Sequence, residues 1–391
     1  MNAQETLPTS SSISDQRPQA GAPAPATAGP QQQPATAPAA VAAAKKELDE
    51  LQENYRRLEK VRAILHKAAT VPVGQTPHEV VAENRAYRLL HYQPVVSKTA
   101  KTPILTVYAL INKSYVLDLQ PDKSWIRSLL SQGFDVYLID WKEPAAVDKY
   151  MSFDDYVNGH IDDCVETVLK KTREDKLTLH GYCMGATMSA MYTALHQEKV
   201  RNLATLAPVI DAERDSTVIG NMAKNMDVDK MRDTIGNFPP EQLYACYSAL
   251  KPFKQGVAKY FNLVQNIDNE SFVGNFLRIE KWLYDTPAIA GETFRQWISD
   301  IYQKNLLAKN EFMLGDLVVD LSRIMVPLLN IVADEDHLVS PECSVPLNDM
   351  VSSQDKRLMR FHTGHVGLIA SSYSQNNVLP KVGQWLKARS Q

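Results

Sequence analysis

The residues best suited to covalent chemistry lie at positions 181–185, where the chain reads Gly-Tyr-Cys-Met-Gly. An apolar, strand-like run precedes them and a helix-like run follows, which is the context of a nucleophile elbow. In such an elbow the glycines allow close backbone packing, and the central residue is held above the sheet in strained geometry. Here the central residue is Cys183, whose thiolate the following helix dipole would favour. We predict that Cys183 is a nucleophile; the alternative is a buried structural cysteine at a tight turn.

A nucleophile elbow also predicts an acid and then a histidine at strand ends in the C-terminal part of the chain. The loops at 334–337 and 362–367 supply both residue types in that order. Histidine is the natural base near neutral pH, and a carboxylate on its far nitrogen fixes the tautomer. His365, on a loop with glycines, has a better context than His362, which can simply end a strand. Spacing alone leaves two candidates for the acid, Asp334 and Asp336.

Attack by Cys183 on a carbonyl would place negative charge on its oxygen, which backbone N–H groups can stabilise. The first donor that the elbow predicts is the N–H of Met184, the residue after the nucleophile. The second is expected in the loop after the strand at 104–109, at Ile111 or Asn112.

Short apolar runs alternate with helix-length segments and position these loops. We predict strands at 80–90, 104–109, 136–139, 177–180, 203–206, 328–333 and 357–361, and helices at 123–132, 154–171 and 187–199. This alternation predicts an α/β fold with a mostly parallel sheet and helices on both faces. The predicted core comprises residues 76–210 and 319–391, and the helical rhythm of 211–318 predicts an inserted helical cap.

The first residues differ from the rest of the chain. Residues 1–44 are rich in Ala, Pro and Gln and contain no aromatic residue, so we expect a disordered tail. Its start lacks positive charge and no apolar stretch follows, so it is not expected to be a signal peptide. An amphipathic helix is predicted at 45–75. Its a/d pattern comprises Leu48, Leu51, Tyr55, Leu58 and Leu65, with Arg62 at an a position. This helix could dock on its own domain or bind a partner.

Composition excludes several classes of protein. With 42 basic and 45 acidic residues, the net charge of −3 does not indicate a nucleic-acid binder. Four scattered cysteines without a CxxC pair indicate neither a disulfide scaffold nor structural zinc. No apolar run is long enough for a transmembrane helix. We find no metal cluster and no glycine-rich phosphate loop, so neither a metal nor a bound cofactor is expected. A cytoplasmic location is predicted.

Beyond these local patterns, stretches spanning roughly residues 79–389 resemble the polyhydroxyalkanoate synthases. The likeness is greatest to the catalytic subunit of the two-subunit, class III and IV, enzymes. The stretches are Tyr108-Ala-Leu-Ile-Asn-Lys, Tyr115-Val-Leu-Asp-Leu, Asp135-Val-Tyr-Leu-Ile-Asp-Trp141, Gly181-Tyr-Cys-Met-Gly185, Tyr192-Thr-Ala-Leu-His196, Glu280-Lys-Trp282, Gly291-Glu-Thr-Phe-Arg-Gln296, Asp336-His-Leu-Val339 and Gly364-His-Val-Gly367.

The resemblance implies an α/β-hydrolase core with a cap. Matched motif to motif, it implies Cys183 as nucleophile, Asp336 as the acid and His365 as the base. Two departures stand out. The elbow continues Gly185-Ala186 where the family usually has two glycines, and the N-terminal tail lies outside the resemblance.

The implied activity is polymerisation of (R)-3-hydroxyacyl-CoA, such as 3-hydroxybutyryl-CoA, with release of CoA through a thioester on the cysteine. It implies a growing polyester chain as product, a second synthase subunit as partner, and a location at the surface of polyester granules. We also expect a homo-oligomer. Two alternatives are a cysteine-dependent thioesterase or esterase of the same fold, and a non-catalytic granule scaffold. The complete order of cysteine, aspartate and histidine argues against the scaffold.

Overall fold

A computed structural model of the chain describes residues 37–250 and 258–390. Its centre is an eight-stranded sheet, and a two-stranded hairpin lies elsewhere. The strands are β1 (His78–Glu83), β2 (Tyr87–Tyr92), β3 (Ile104–Val107), β4 (Val136–Trp141), β5 (Leu177–Tyr182), β6 (Val200–Leu206), β7 (Met313–Leu314), β8 (Leu317–Val318), β9 (Leu328–Ala333) and β10 (Lys356–Phe361).

The large sheet has the order β1-β2-β4-β3-β5-β6-β9-β10. β1 and β2 pair antiparallel, as do β2 and β4, and every other neighbouring pair is parallel. Parallel strands buried on both faces are typical of α/β proteins. The prediction of a mostly parallel sheet is therefore confirmed. Because parallel strands end at the same edge, the loops after β3, β5, β9 and β10 lie along one side of the sheet.

One predicted strand was wrong. The run at 80–90 was expected to be a single strand, but β1 and β2 are separated by a turn at 84–86. The side chain of Asn84 makes this turn, because its Oδ1 accepts hydrogen bonds from the N–H of Ala86 at 2.7 Å and of Tyr87 at 3.1 Å. The two halves of the run then pair with each other.

Helices cover both faces of the sheet. Those of the predicted core are α2 (Trp125–Ser131), α3 (Asp162–Thr172), α4 (Met184–His196), α11 (Pro341–Ser344), α12 (Leu347–Met350) and α13 (Leu379–Lys387). A π-helical turn, Asp155–Ile161, leads into α3. Almost every residue of α4 is buried, since it packs against both β5 and β6. This helix carries the second half of the elbow.

Between β6 and β9 the described chain is mostly helical. It forms α5 (Val218–Ala223), α6 (Val228–Ile235), α7 (Pro240–Leu250), α8 (Lys259–Gln265), α9 (Glu270–Tyr284) and α10 (Gly291–Gln296). A π-helical turn, Trp297–Gln303, and the β7–β8 hairpin follow. We keep the name cap segment for residues 211–318.

The N-terminal helix α1 spans Ala37–Leu65. It begins inside the tail predicted at 1–44, so that boundary was wrong: alanine is the strongest helix former, and Pro38 is tolerated in a first turn. Residues 1–36 of the tail lie outside the described residues. The helix also ends at Leu65, before residue 75; a short 3-10 turn follows at Ala68–Thr70, and Pro72 holds Val71 in extended backbone beyond it. The boundary between the two compact units of the chain falls within α1, after Tyr55.

The apolar face predicted for this helix is exposed. Leu48, Leu51, Tyr55 and Leu58 are between 55% and 70% exposed. The two roles considered for this helix, docking on its own domain and binding a partner, both stay predictions.

A buried histidine lies in the middle of β5. His180 has no exposed surface, and neither ring nitrogen has a hydrogen-bond partner among the described residues. Its ring stacks on Trp125 of α2, with centroids 5.4 Å apart. Burial lowers the pKa of His180 to about 3, because a charged imidazolium is not solvated there.

This burial predicts an acid-dependent loss of stability. An unfolded histidine binds its proton near pH 6.5 whereas folded His180 binds it near pH 3, so stability present above pH 6.5 is lost as the pH falls towards 3. His180→Phe removes this dependence. As the pH is lowered from 7 to 5, the natural protein should lose about 2 kcal/mol of its free energy of unfolding relative to the variant. Urea unfolding at several pH values measures it, and a pH-independent difference would contradict the assignment.

Candidate active site

The backbone at Cys183 has the strained geometry of a nucleophile elbow. The residue lies between β5 and α4, with φ 55° and ψ −127°. A positive φ is costly for a residue with a side chain, and it persists where surrounding contacts hold it. The Cys183 N–H donates to the carbonyl of Leu206 at 2.8 Å, and its carbonyl accepts from the N–H of Ala186 at 2.9 Å. The elbow is thus anchored to the neighbouring strand and to its own helix.

The two glycines of the elbow allow close approach between α4 and the sheet. A Cβ on Gly181 would lie 2.4 Å from the Cα of Ala186. On Gly185 it would lie 2.2 Å from the carbonyl oxygen of Val107, at the end of β3. The start of α4 is therefore pressed against the end of β3, next to the loop that carries Ile111.

Gly185→Ala is expected to destabilise the fold by at least about 4 kcal/mol, because a backbone carbonyl cannot move aside. Gly364→Ala is the matched control: its Cβ would meet nothing closer than the carbonyl oxygen of Glu335 at 3.6 Å, an ordinary contact. That change should cost less than about 1 kcal/mol. Thermal unfolding of both variants tests this difference. Equal unfolding temperatures would show that the close approach at Gly185 does not contribute to the stability of the fold.

His365 and Asp336 meet at the same edge of the sheet. The His365 Nδ1 lies 2.6 Å from the Asp336 Oδ2, and both side chains are almost completely buried. The other carboxylate oxygen accepts from the N–H of Leu338 at 2.8 Å and of Val339 at 3.0 Å. Asp336 is thus fixed by its own loop, which follows β9, while it orients the imidazole from the loop after β10.

The charges around His365 favour its protonated form. Burial alone would lower the pKa of His365, but the nearby Asp336 carboxylate and the Cys183 thiolate, each also a hydrogen-bond partner, raise it well above its usual value. A buried imidazole held in this way by a carboxylate is suited to accept a proton from a neighbouring nucleophile and to carry the resulting charge.

The alternatives left open by the sequence lie elsewhere. The Asp334 carboxylate pairs with Arg360, 2.8 Å from its Nε. His362 is 78% exposed and lies 3.0 Å from Glu335. Of the two acids and two histidines, only Asp336 and His365 are brought together with Cys183.

Cys183 and His365 open on a cavity of about 410 Å³ between the elbow and the cap segment. Its walls are mainly apolar and aromatic. They include residues of the core and of the cap segment, namely Tyr108, Tyr182, Val209, Tyr247, Phe276, Trp282, Trp297 and Tyr302. Concave sites with mainly apolar walls and a few polar groups are typical of small-molecule binding.

The residues predicted as oxyanion donors lie around this cavity. Ile111 and Asn112 line it. Asn112 has a positive φ of 62°, and its side-chain amide donates to Thr286 Oγ1. Met184 is the first residue of α4, so its N–H has no partner within the helix.

Sequence reasoning missed an ion pair in the cavity wall. The Lys259 Nζ lies 2.9 Å from both carboxylate oxygens of Glu280, and the two side chains are 15% and 4% exposed. Both residues line the cavity. An acidic residue, Glu280, among the apolar residues of α9 indicates that a buried partner is needed. Nothing in the sequence indicates that this partner is Lys259 of α8.

Two other classes of site were sought in the described part of the chain. No group of three or more His, Cys, Asp or Glu side chains there could hold a metal ion. No helix within those same residues is both long and apolar enough to cross a membrane.

Comparison with known proteins identifies the family. Residues 102–371 match the alpha/beta hydrolase fold, and residues 42–129 match the poly-beta-hydroxybutyrate polymerase (PhaC) N-terminus. Among solved structures, that of DcsB in complex with its substrate analogue has a TM-score of 0.51 at 16% identity, covering 80% of this chain and 99% of that one. That likeness concerns the fold alone.

Proteins of similar sequence identify the family more specifically than the shared fold does. The poly(3-hydroxyalkanoate) polymerase subunit PhaC of Haloferax mediterranei is 46% identical over 323 residues, which is 82% of this chain and 66% of that protein. The subunit of the same name from Allochromatium vinosum is 41% identical over 342 residues, 87% of this chain and 96% of that protein. The chain therefore belongs to the poly(3-hydroxyalkanoate) polymerase PhaC family of acyltransferases with the α/β-hydrolase fold.

Proposed function

We propose that the protein polymerises (R)-3-hydroxyacyl-CoA, such as 3-hydroxybutyryl-CoA, and releases CoA through a thioester on Cys183. The observation that carries this proposal is the contact of His365 with both Asp336 and Cys183 at the wall of an apolar cavity. A thiol, an imidazole and a carboxylate can perform the whole reaction, so the proposal includes no cofactor.

In the first step His365 takes the proton of the Cys183 thiol, and the thiolate attacks the thioester carbonyl of the substrate. The N–H groups of Met184 and of Ile111 or Asn112 donate to the resulting oxyanion. The intermediate collapses with cleavage of the bond to the CoA sulfur, and that sulfur takes the proton from His365. One thioester replaces another, so the step is nearly balanced in energy.

In the second step a hydroxyl of another hydroxyacyl group attacks the acyl thioester. His365 removes the hydroxyl proton, the new ester bond forms, and the Cys183 sulfur leaves and regains that proton. Asp336 stabilises the imidazolium in both steps. A cysteine suits this reaction because a thiolate leaves far more readily than an alkoxide, which keeps the bound acyl group activated.

Polymerisation requires that water does not intercept the thioester. The buried aromatic side chains Tyr108, Tyr182 and Tyr302 stand around Cys183 in the cavity wall. They support polymer formation over hydrolysis, because a cavity with such walls accommodates an apolar polyester better than water.

The wider setting belongs to the same proposal. A second synthase subunit would be needed for full activity, the enzyme would form a homo-oligomer, and it would act in the cytoplasm at the surface of polyester granules. The relatives' shared designation as a polymerase subunit supports the first of these points.

The test is incubation of the purified protein with 3-hydroxybutyryl-CoA, with and without a candidate second subunit, while free CoA and turbidity are followed. We expect CoA release together with insoluble polyester. CoA release with only free 3-hydroxybutyrate would instead assign a thioesterase. If neither occurs and Cys183 resists a thiol-alkylating reagent, the protein is not an enzyme of this type.

A further inference from the structure

The ion pair of Lys259 and Glu280 is a charged group in a cavity wall that is otherwise mainly apolar. The face of α9 that lines the cavity includes Phe276, Ile279, Glu280 and Leu283. These positions are three or four residues apart, so their side chains lie on one side of the helix. Three of them are apolar, whereas Glu280, in the middle of this face, is acidic.

Stability does not account for the pair. Taking an ammonium and a carboxylate out of water is costly, and replacing both members of a buried ion pair by apolar side chains is often neutral or stabilising. An apolar residue in place of Glu280 would simply continue the face that its neighbours form. The pair is therefore better explained by a function within the cavity.

Glu280 holds the ammonium of Lys259 in one place. Both carboxylate oxygens lie 2.9 Å from the Lys259 Nζ, and Oε2 also accepts from the hydroxyl of Tyr260 at 3.3 Å. A lysine ammonium has three N–H groups, and it has no acceptor. Two of these groups donate to Glu280, and Nζ makes no further hydrogen bond within the described residues. One N–H group is therefore left for a ligand in the cavity.

The charges of the pair favour a neutral ligand. Because the charges of Lys259 and Glu280 cancel, the site offers a hydrogen-bond donor without a net charge that would attract a phosphate or a carboxylate. A polyester of hydroxyacids has a neutral carbonyl oxygen in every repeat and no N–H group. Burying such an oxygen without a donor is unfavourable. An ester carbonyl therefore fits the remaining N–H of Lys259.

Other donors in the cavity wall already donate within the protein. The indole N–H of Trp282 donates to the carbonyl of Lys113 at 2.9 Å. The hydroxyl of Tyr182 donates to the carbonyl of His365 at 3.3 Å. These contacts increase the importance of Lys259 as a donor to a bound chain.

We propose that Lys259, held by Glu280, binds an ester carbonyl oxygen of the hydroxyacyl chain in the cavity. This inference rests on the proposed function, because it takes the acyl chain as the occupant of the cavity. The contact favours an acyl group that already contains an ester over a single hydroxyacyl unit. Lys259 is thus a specificity-determining residue, distinct from the groups that react at Cys183.

The test variant replaces both members of the pair, because either change alone leaves a buried charge unpaired. Lys259→Met/Glu280→Leu removes the donor and keeps apolar side chains in the wall. Arg232→Met/Glu292→Leu is the matched control. That ion pair joins α6 to α10 in the cap segment at 2.7 Å, and neither residue lines the cavity.

The first test measures binding in the Cys183→Ala background, where no acyl transfer takes place. The two ligands are methyl 3-(3-hydroxybutyryloxy)butyrate and the ether in which a methylene replaces its internal carbonyl. Quenching of tryptophan fluorescence reports binding, because Trp282 and Trp297 line the cavity. We expect the ester to bind more tightly than the ether. The ratio of the two affinities should fall about tenfold in the test variant and stay unchanged in the control.

Three results of this binding test would overturn the proposal. They are an unchanged ratio in the test variant, an equal fall in the control, and an ester that does not bind. The Cys183→Ala protein alone also decides the matter without either double variant, because equal binding of ester and ether would exclude a donor to the ester carbonyl.

The second test separates this site from the proposed function. The rate of the first CoA release is measured at limiting concentrations of 3-hydroxybutyryl-CoA and of the CoA thioester of its ester-linked dimer. In the test variant the rate should fall about tenfold for the dimer and less than about twofold for the monomer. Equal losses would place the contact on an amide carbonyl of CoA and overturn the assignment. A natural protein that releases no CoA but binds the ester as expected would contradict the proposed function and not the site at Lys259.

Discussion

Cys183→Ala is expected to abolish CoA release and polymer formation together, with a fall of at least about 10⁴-fold in the rate of CoA release. The reason is that both steps of the proposed reaction pass through the thioester on this residue. Alanine fits the site, because Cys183 forms its structural hydrogen bonds through the backbone. The unfolding temperature should therefore change little, and assay of free CoA measures the loss.

Cys246→Ala provides the matched control. This cysteine lies half-buried on α7 in the cap segment, and burial raises the pKa of its thiol, which makes it a poor nucleophile at neutral pH. The control should retain the rate of the natural protein. If Cys183→Ala kept its CoA release while Cys246→Ala lost it, the nucleophile would have been assigned to the wrong cysteine.

Asp336→Asn should lower the rate by about 10³- to 10⁴-fold while leaving the fold intact. The amide can no longer balance an imidazolium in this buried position. Loss of the carboxylate charge therefore lowers the pKa of His365 and makes the imidazole a weaker base towards the substrate-binding cavity. The side-chain oxygen of asparagine can still accept from the N–H of Leu338 and Val339, which preserves the loop. Steady-state assay of CoA release measures the effect.

Asp334→Asn is the matched control for Asp336→Asn, because it removes a negative charge from the same loop without contacting His365. It disrupts only an ion pair with Arg360 at the surface, and exposed pairs contribute about 0–1 kcal/mol. The rate should remain within about twofold of the natural value. Equal losses in the two variants would show that the contact between Asp336 and His365 has no special function.

Most of the arrangement of Cys183, Asp336 and His365 could be predicted because it follows local rules. The spacing of Gly181, Cys183 and Gly185 specifies a sharp turn between a strand and a helix, and the order of the later loops follows from the elbow. Parallel strands then bring those loops to one edge of the sheet. The resemblance to a family selected Asp336 over Asp334. The structural reason lies in the N–H groups of the next residues, which turn Asp336 inwards.

The predictions failed where a contact depends on side chains distant in sequence or on the end of an element. Periodicity did not separate β1 from β2, because the turn depends on the single side chain of Asn84. The alanines at the start of α1 show no apolar periodicity that would indicate a helix. The proline and glutamine content of residues 1–44 therefore predicted a disordered tail there. Lys259 and Glu280 lie on different helices, and their pairing follows only from how α8 and α9 pack.

The central claim is that the growing acyl chain is held on Cys183. Rapid quenching of the protein with labelled 3-hydroxybutyryl-CoA, followed by proteolysis and mass spectrometry, tests it most directly. The account predicts a hydroxybutyryl adduct on the peptide that contains Cys183, cleavable by hydroxylamine and missing in Cys183→Ala. Release of CoA without an adduct there, or an adduct on another residue, would contradict it.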